Sequence, residues 1–205
     1  MIKLDAKELR TVEPSFQELK KIKRHPIYIV LDNVLDTYNV GSIFRLADAV
    51  AAEKIFLCGD TETPPNHKIK KASVDTWKWV EWEYARTAKD AVLKIRNPKS
   101  EIPTRLRYDE VVAGGLNKFK IQNSKFQIIA VEQSPRSVSY DKVKYEFPLA
   151  LVVGHETRGV AKEVLAMADA IVEIPMWGVN KSLNVTASCG IVLYEVMRKE
   201  GGDGK

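Results

Sequence analysis

Two hydrophobic periods alternate along this chain. PSFQELKKIKRHP places Ser15 three residues before Glu18 and closes on a proline at 26. That spacing is a capping box and predicts a short basic helix. IYIVLDNV is rich in β-branched residues and reads as a strand. In GSIFRLADAVAA the period changes, and Ile43, Leu46, Ala47 and Val50 fall on one helical face. KIFLCG gives a second strand and DTETPPNHK a loop marked by its prolines. WKWVEWEY reads as a third strand, with a helix near 87–96 after it. Pro98, Pro103, Gly114 and Gly115 interrupt residues 97–124, which predicts an irregular segment or a short insertion. KFQIIAVE and PLALVVG are nearly unbroken apolar runs, the pattern of strands covered on both faces. GVAKEVLAMADA then predicts a helix, IVEIPM a strand, 184–199 the last helix, and GGDGK a disordered tail.

Strands alternating with helices predict an α/β fold: a mostly parallel sheet with helices on both faces and right-handed crossovers. In such sheets ligands gather at the carboxyl ends of strands. Three turns occupy such ends here, after Val34, after Val153 and after Ile174.

Composition narrows the function classes. The chain has 205 residues, enough for one domain with a sizeable core. No apolar run is long enough to span a bilayer, and MIKLDAKELR lacks the apolar stretch of a secretory signal. The two cysteines, Cys58 and Cys189, each lie in an apolar segment, which suggests buried free thiols and a reducing, cytoplasmic setting. The three histidines are scattered, with no Cys or His pair at ligand spacing, so no metal is expected. Net charge is +5, with basic clusters at 20–24, 68–71 and 105–107. Lys21, Lys23, Arg24, Lys68, Lys70, Lys71, Arg105 and Arg107 are therefore candidate phosphate contacts for RNA. Trp77, Trp79, Trp82 and Tyr108 lie close enough in sequence to stack on bases, although solvated basic faces explain the clusters equally well.

Each turn carries a pattern. In NVGSIFR, Asn39 can cap the coming helix, Gly41 leaves the helix start bare, and Arg45 lies about a turn further on. In GHETRG, Gly154 can let a ligand approach the backbone, and Glu156 can accept hydrogen bonds from amides. The spacing G-x-G-x-x-G is absent. In IPMWGVNKSLNV, the stretch GVNKS is not a phosphate-binding loop, because Asn180 and Pro175 stand where glycines are needed. Ser182 or Asn184 can cap the last helix.

Taken together and in order, Asn39-x-Gly41-x-x-x-Arg45, Gly154-x-Glu156-x-x-Gly159 and the run from Ile174 to Val185 resemble the three signature motifs of the SpoU–TrmH branch of the SPOUT methyltransferases. The likeness covers about residues 26–199, and the TPP after the second strand resembles single-domain members acting on tRNA. It implies a deep C-terminal trefoil knot at about 150–199, a homodimer, and S-adenosylmethionine bent within the knot. Residues 1–25 would be a basic helical extension and 200–205 a flexible tail.

The reaction implied is methyl transfer to a ribose 2′-hydroxyl, of tRNA rather than rRNA. A base nitrogen as acceptor, or a non-catalytic cofactor-gated RNA-binding module, are the alternatives. Carried over by position, Gly154, Ile174, Leu183, Val131, Glu132, Val153, Met176 and Gly178 would hold the cofactor. Arg45 would act on the substrate, with Asn39, Glu156, Ser182 and Asn184 shaping the site. Arginine keeps its proton at any working pH, so Arg45 would grip phosphate or steady a developing alkoxide. His155, Thr157 and Arg158 depart from the family pattern.

Overall fold

Among the described residues, seven strands form one sheet, and every pairing is parallel. The structure is a computed structural model that describes residues 13–97 and 126–200. The strands are β1 (His25–Asp32), β2 (Ala52–Cys58), β3 (Trp82–Ala85), β4 (Gln127–Val131), β5 (Val138–Ser139), β6 (Leu149–Gly154) and β7 (Ala170–Glu173), and they lie in the order β3-β2-β1-β6-β4-β7-β5. The helices are α1 (Phe16–Lys20), α2 (Thr37–Ala49), α3 (His67–Ser73), α4 (Ala88–Arg96), α5 (Lys162–Met167) and α6 (Val185–Glu200).

Alternation along each strand feeds two cores. Ile27, Ile29 and Leu31 of β1 join Leu149, Leu151 and Val153 of β6 on the face covered by α2, α3 and α6. Val30, Ile128, Ala130, Ala150 and Val152 point the other way, under α4 and α5. Burial on both faces explains why these strands read as unbroken apolar runs. Each large side chain buried this way contributes about 1.5–3 kcal/mol.

Helix α2 forms because Val40, Ile43, Phe44 and Ala47 bury one stripe, and Asp36 caps it by accepting from the Tyr38 amide at 2.8 Å. This differs from the sequence expectation, which gave the cap to Asn39 and a bare helix start to Gly41. Asn39 already lies inside the first turn, and Gly41 is where α2 meets α3. A Cβ on Gly41 would stand 2.6 Å from Ala72 Cβ and 2.7 Å from the Ile69 carbonyl oxygen. The glycine permits that helix contact and leaves no opening for an anion.

Two other expectations change. Lys68, Lys70 and Lys71 sit on helix α3, which Asn66 caps and which starts at His67, inside the stretch 60–68 predicted as loop. Of the strand predicted over 77–84, only Trp82 to Tyr84 lie in β3; Trp77 lies in a tight 3-10 turn (Thr76–Lys78), and Trp79 follows that turn and donates its indole N–H to Asp48 at 2.7 Å. Trp77, Trp79 and Trp82 are packed against the core, which corrects the suggestion that they are free to stack on bases. Helix α1 carries the predicted capping box, with Ser15 and Glu18 bonded reciprocally. The insertion at 97–124, the tail, and Arg105, Arg107 and Tyr108 lie outside the described residues, apart from Asn97 and Glu200 at their margins.

Candidate functional site

The carboxyl ends of β1, β6, β4 and β7 lie side by side, and the three motifs follow three of them. Motif one opens α2 after β1, motif two turns from β6 toward α5, and motif three runs from β7 to α6. Between the last two lies a crevice of about 460 Å³. That is within the usual range for a small-molecule site. Of the residues predicted to hold a cofactor, Val131, Glu132, Val153, Gly154, Ile174, Met176 and Leu183 line it, as do Glu156, Ser182 and Asn184. Gly178 does not, and its surroundings are open.

Gly154 is required for a reason other than ligand approach. A Cβ there would stand 2.3 Å from the Gly159 carbonyl carbon and 2.3 Å from the Val160 nitrogen. The returning backbone of the same turn fills that space. His155 and Gly159 close the turn by exchanging backbone hydrogen bonds of 3.1 and 2.9 Å. Beyond it, the Val160 amide donates to Glu132 at 2.7 Å and the Ala161 amide to Asp32 at 2.8 Å. Glu132, expected against a ligand, thus spends one carboxylate oxygen on the turn. Its other oxygen accepts from the Gln133 amide at 3.0 Å.

Asn39 joins motifs one, two and three. Its Nδ2 donates to Glu156 at 3.3 Å, and its Oδ1 accepts from Asn184 Nδ2 at 3.1 Å and from the Thr186 hydroxyl at 3.2 Å. These three partners fix which way the amide faces. Asn184 also caps α6, accepting from the Thr186 amide at 2.9 Å, so its two predicted roles coexist. Glu156 accepts from the amides of Leu35 at 3.3 Å and Asp36 at 3.2 Å. Burial alone would raise the Glu156 carboxyl, but hydrogen bonds from its own backbone, Asp36, Leu35 and Asn39 outweigh it and hold the group below the ordinary carboxylate range. Glu156 is therefore an ionised acceptor that ties the turn after β6 to the head of α2.

The third loop is fastened more lightly. Gln133 donates to the Lys181 carbonyl at 2.5 Å, and Ser182 donates from its amide to Asn180 at 3.0 Å and from its hydroxyl at 3.2 Å. Among the described residues, the amides of Met176 and Leu183 have no hydrogen-bond partner. Apolar walls with unused backbone donors suit a ligand that is part flat and apolar, part polar.

Two expected residues stand apart. Arg45 is exposed on α2, does not line the crevice, and has no hydrogen bond or ion pair among the described residues. Arg24 is turned inward, donating to the carbonyls of Ala52 at 3.4 Å and Trp79 at 3.0 Å, which corrects its assignment to an RNA surface. Lys21, Lys23, Lys68, Lys70 and Lys71 are exposed. The sequence reading missed Asp32, Gln133 and Thr186. Asp32 alone had a signal, a carboxylate ending an apolar strand.

The comparisons with known proteins agree with this geometry. The signature of the SpoU rRNA Methylase family matches residues 26–112 and 112–194. The chain is 29% identical over 197 residues to the tRNA (guanosine(18)-2′-O)-methyltransferase of Aquifex aeolicus, covering 94% of this chain and 80% of that protein. It is 26% identical over 186 residues to the enzyme of the same name from Escherichia coli K12, covering 89% and 68%. The crystal structure of the A. aeolicus TrmH/SpoU tRNA modifying enzyme superposes with a TM-score of 0.68 at 28% identity, over 96% of this chain and 84% of that one. An AdoMet-bound rRNA methyltransferase from Sinorhizobium meliloti gives 0.68 at 28% identity, over 93% and 60%. The chain belongs to the SpoU rRNA Methylase family.

Proposed function

We propose that this protein transfers a methyl group from S-adenosylmethionine to a ribose 2′-hydroxyl of RNA, and of tRNA in preference to rRNA. The observation that carries the proposal is the crevice and its link to motif one: motifs two and three wall it, and Asn39 of motif one is hydrogen-bonded to both through Glu156 and Asn184. The named relatives methylate a tRNA ribose, and a structural neighbour holds AdoMet.

The residues present fit that cofactor. Ile174, Met176, Leu183 and Val131 offer apolar surface for a purine and its ribose, and the unused amides of Met176 and Leu183 offer donors. When bound, the cofactor supplies an electrophilic methyl on a sulfonium. The chain's task is then alignment and exclusion of water, which together can lower a barrier by about 7–11 kcal/mol. Ionised Glu156 fixes Asn39 and the head of α2. Ser182 and Asn184 present polar groups at the crevice mouth. Arg45 grips an RNA phosphate or steadies the developing alkoxide with a planar set of donors.

Since Arg45 does not line the crevice of its own subunit, we infer that a homodimer completes the site. Leu35, Tyr38, Ile191 and Tyr194 support this, being large apolar side chains exposed on the neighbouring α2 and α6 region. The two helices meet through Asn39 with Thr186 and through Leu46 over Gly190. The proposal includes a knotted C-terminal segment, a basic extension over 1–25, and phosphate contacts from Lys21, Lys23, Lys68, Lys70 and Lys71. It includes no metal. Among the described residues no cluster of metal-binding side chains occurs, and no helix is long and apolar enough to cross a membrane. A reducing cytoplasm is the setting the two buried thiols suit.

The test is methyl transfer from labelled cofactor to unmodified tRNA and rRNA, followed by digestion to nucleosides and alkaline cleavage mapping. Label on a ribose at one alkali-resistant position of tRNA is expected. Label on a base, or none, overturns the proposal. Arg45→Lys keeps the charge and removes the planar fork, so near-normal turnover would refute the role given to Arg45.

A further inference from the structure

The turn between β6 and α5 has its amides held from several sides, and one holder is not explained by the site described so far. The amides of Thr157 and Arg158 both point at Nδ1 of His155, at 3.0 and 3.4 Å. The Thr157 hydroxyl lies 3.2 Å from the same nitrogen. A backbone N–H can only donate, so Nδ1 accepts and carries no proton, and the neutral ring keeps its proton on Nε2. In this tautomer the ring has no basic nitrogen left to offer a substrate hydroxyl. His155 lines the crevice, yet it is not the proton acceptor of the reaction.

What the ring does is local and geometric. It makes the side-chain-to-backbone bond that an asparagine or aspartate makes in an Asx turn, accepting from the amide two residues on. Glu156 lies inside the loop so closed, between the ring's own residue and Thr157. The direction in which the Glu156 carboxylate leaves the turn is therefore tied to that hydrogen bond. From there the carboxylate reaches Leu35, Asp36 and Asn39.

We infer that His155 is a positioning residue: its unprotonated Nδ1 fixes the 155–159 turn and so holds Glu156 against Asn39 and the head of α2. This rests on the methyl-transfer reading of the crevice. An N–H on Nδ1 would face two other N–H groups, so only the bare nitrogen closes the turn.

The experiment has two readouts. Long-range proton–nitrogen correlation spectra of the full-length protein report the tautomer of His155 directly, without reference to activity. The Nε2–H tautomer is expected; an Nδ1–H tautomer overturns the inference. The second readout is kcat for methyl transfer by wild type, His155→Ala and His155→Asn, with cofactor Kd measured alongside. H155A is expected to lose about tenfold or more in kcat, with a smaller effect on cofactor Kd. H155N, whose amide oxygen can accept as Nδ1 does, is expected to restore most of that loss. An H155N kcat no higher than that of H155A, or full activity in H155A, overturns the inference. If wild type shows the expected tautomer but transfers no methyl to RNA, the methyl-transfer reading fails instead.

Discussion

Replacing Asn39 by aspartate exchanges one amide nitrogen for oxygen and leaves the shape intact. In the native network Asn39 Nδ2 donates to Glu156 at 3.3 Å. The variant sets a second carboxylate there. With an effective dielectric of about 20, two unit charges 3.3 Å apart repel by about 5 kcal/mol. The pair need not bear all of that. Taking up one proton at pH 7 costs a carboxyl that titrates near 4 about 4 kcal/mol, and the shared proton restores a hydrogen bond. Glu156 is also exposed on its outer side, where solvent screens the pair. N39D is therefore expected to lose about 2–3 kcal/mol of folding stability at neutral pH. The two proteins should respond to pH with opposite signs. In wild type the Glu156 carboxyl is held below its ordinary range, so its contribution is complete above that range and is lost as pH falls through the lowered value. In N39D the pair's proton affinity is raised, so the penalty is greatest at neutral pH. It then shrinks toward acid by up to about 1.4 kcal/mol per pH unit. Urea unfolding of both proteins between about pH 5 and pH 8 measures the difference directly. A difference that stays constant across that window would refute the pairing of Asn39 with Glu156.

Three further outcomes follow from geometry described above. Gly41→Ala forces a methyl to within 2.6 Å of Ala72 Cβ at the α2–α3 contact. It should cost about 1–3 kcal/mol, or roughly 2–4 °C of melting temperature per kcal/mol, and an unchanged thermal midpoint would contradict that packing. Burial pushes the Cys189 thiol up to about 12, and burial followed by the Asp32 charge raises Cys58 well above the ordinary thiol value. Ellman's reagent should find neither thiol in the native protein and both of the chain's 2 cysteines after unfolding in urea; rapid native reaction would show one is accessible. Replacing Lys68, Lys70 and Lys71 by alanine should weaken RNA binding and flatten its salt dependence by about one unit of log–log slope per phosphate contact removed. A slope equal to wild type in filter binding would free α3 of that role.

Much of the fold was legible because both sheet faces are covered. IYIVLD, KIFLC, QIIAV and LALVVG show as apolar runs, since a residue pointing either way meets a helix. Helix α3 was hidden: it has seven residues and one fully buried large side chain, Ile69, too short for a period to show. The stretch from Trp77 to Trp82 misled because aromatics favour strands, while here two of them serve as packing around a tight turn. The order of strands was beyond reach from periodicity, because β1 pairs with β6 across more than a hundred intervening residues. Within the site, residue identities were legible through three spaced motifs, but their reasons were not. Gly154 makes room for backbone, Glu132 restrains a turn, and Asn39 joins segments 117 and 145 positions away. None of those pairings leaves a local trace.

The placement of β6 between β1 and β4 has a consequence for biosynthesis. As the chain leaves the ribosome, β1 can pair with β2 early, but its other edge must wait for residues 149–154. At about 5–20 residues per second that interval lasts roughly 5–25 s. For that time an apolar strand keeps a row of open hydrogen-bonding groups, a template for pairing with a neighbouring nascent chain. Slowing synthesis downstream of β1 should therefore raise the demand for chaperones, whereas slowing it after β6 should not.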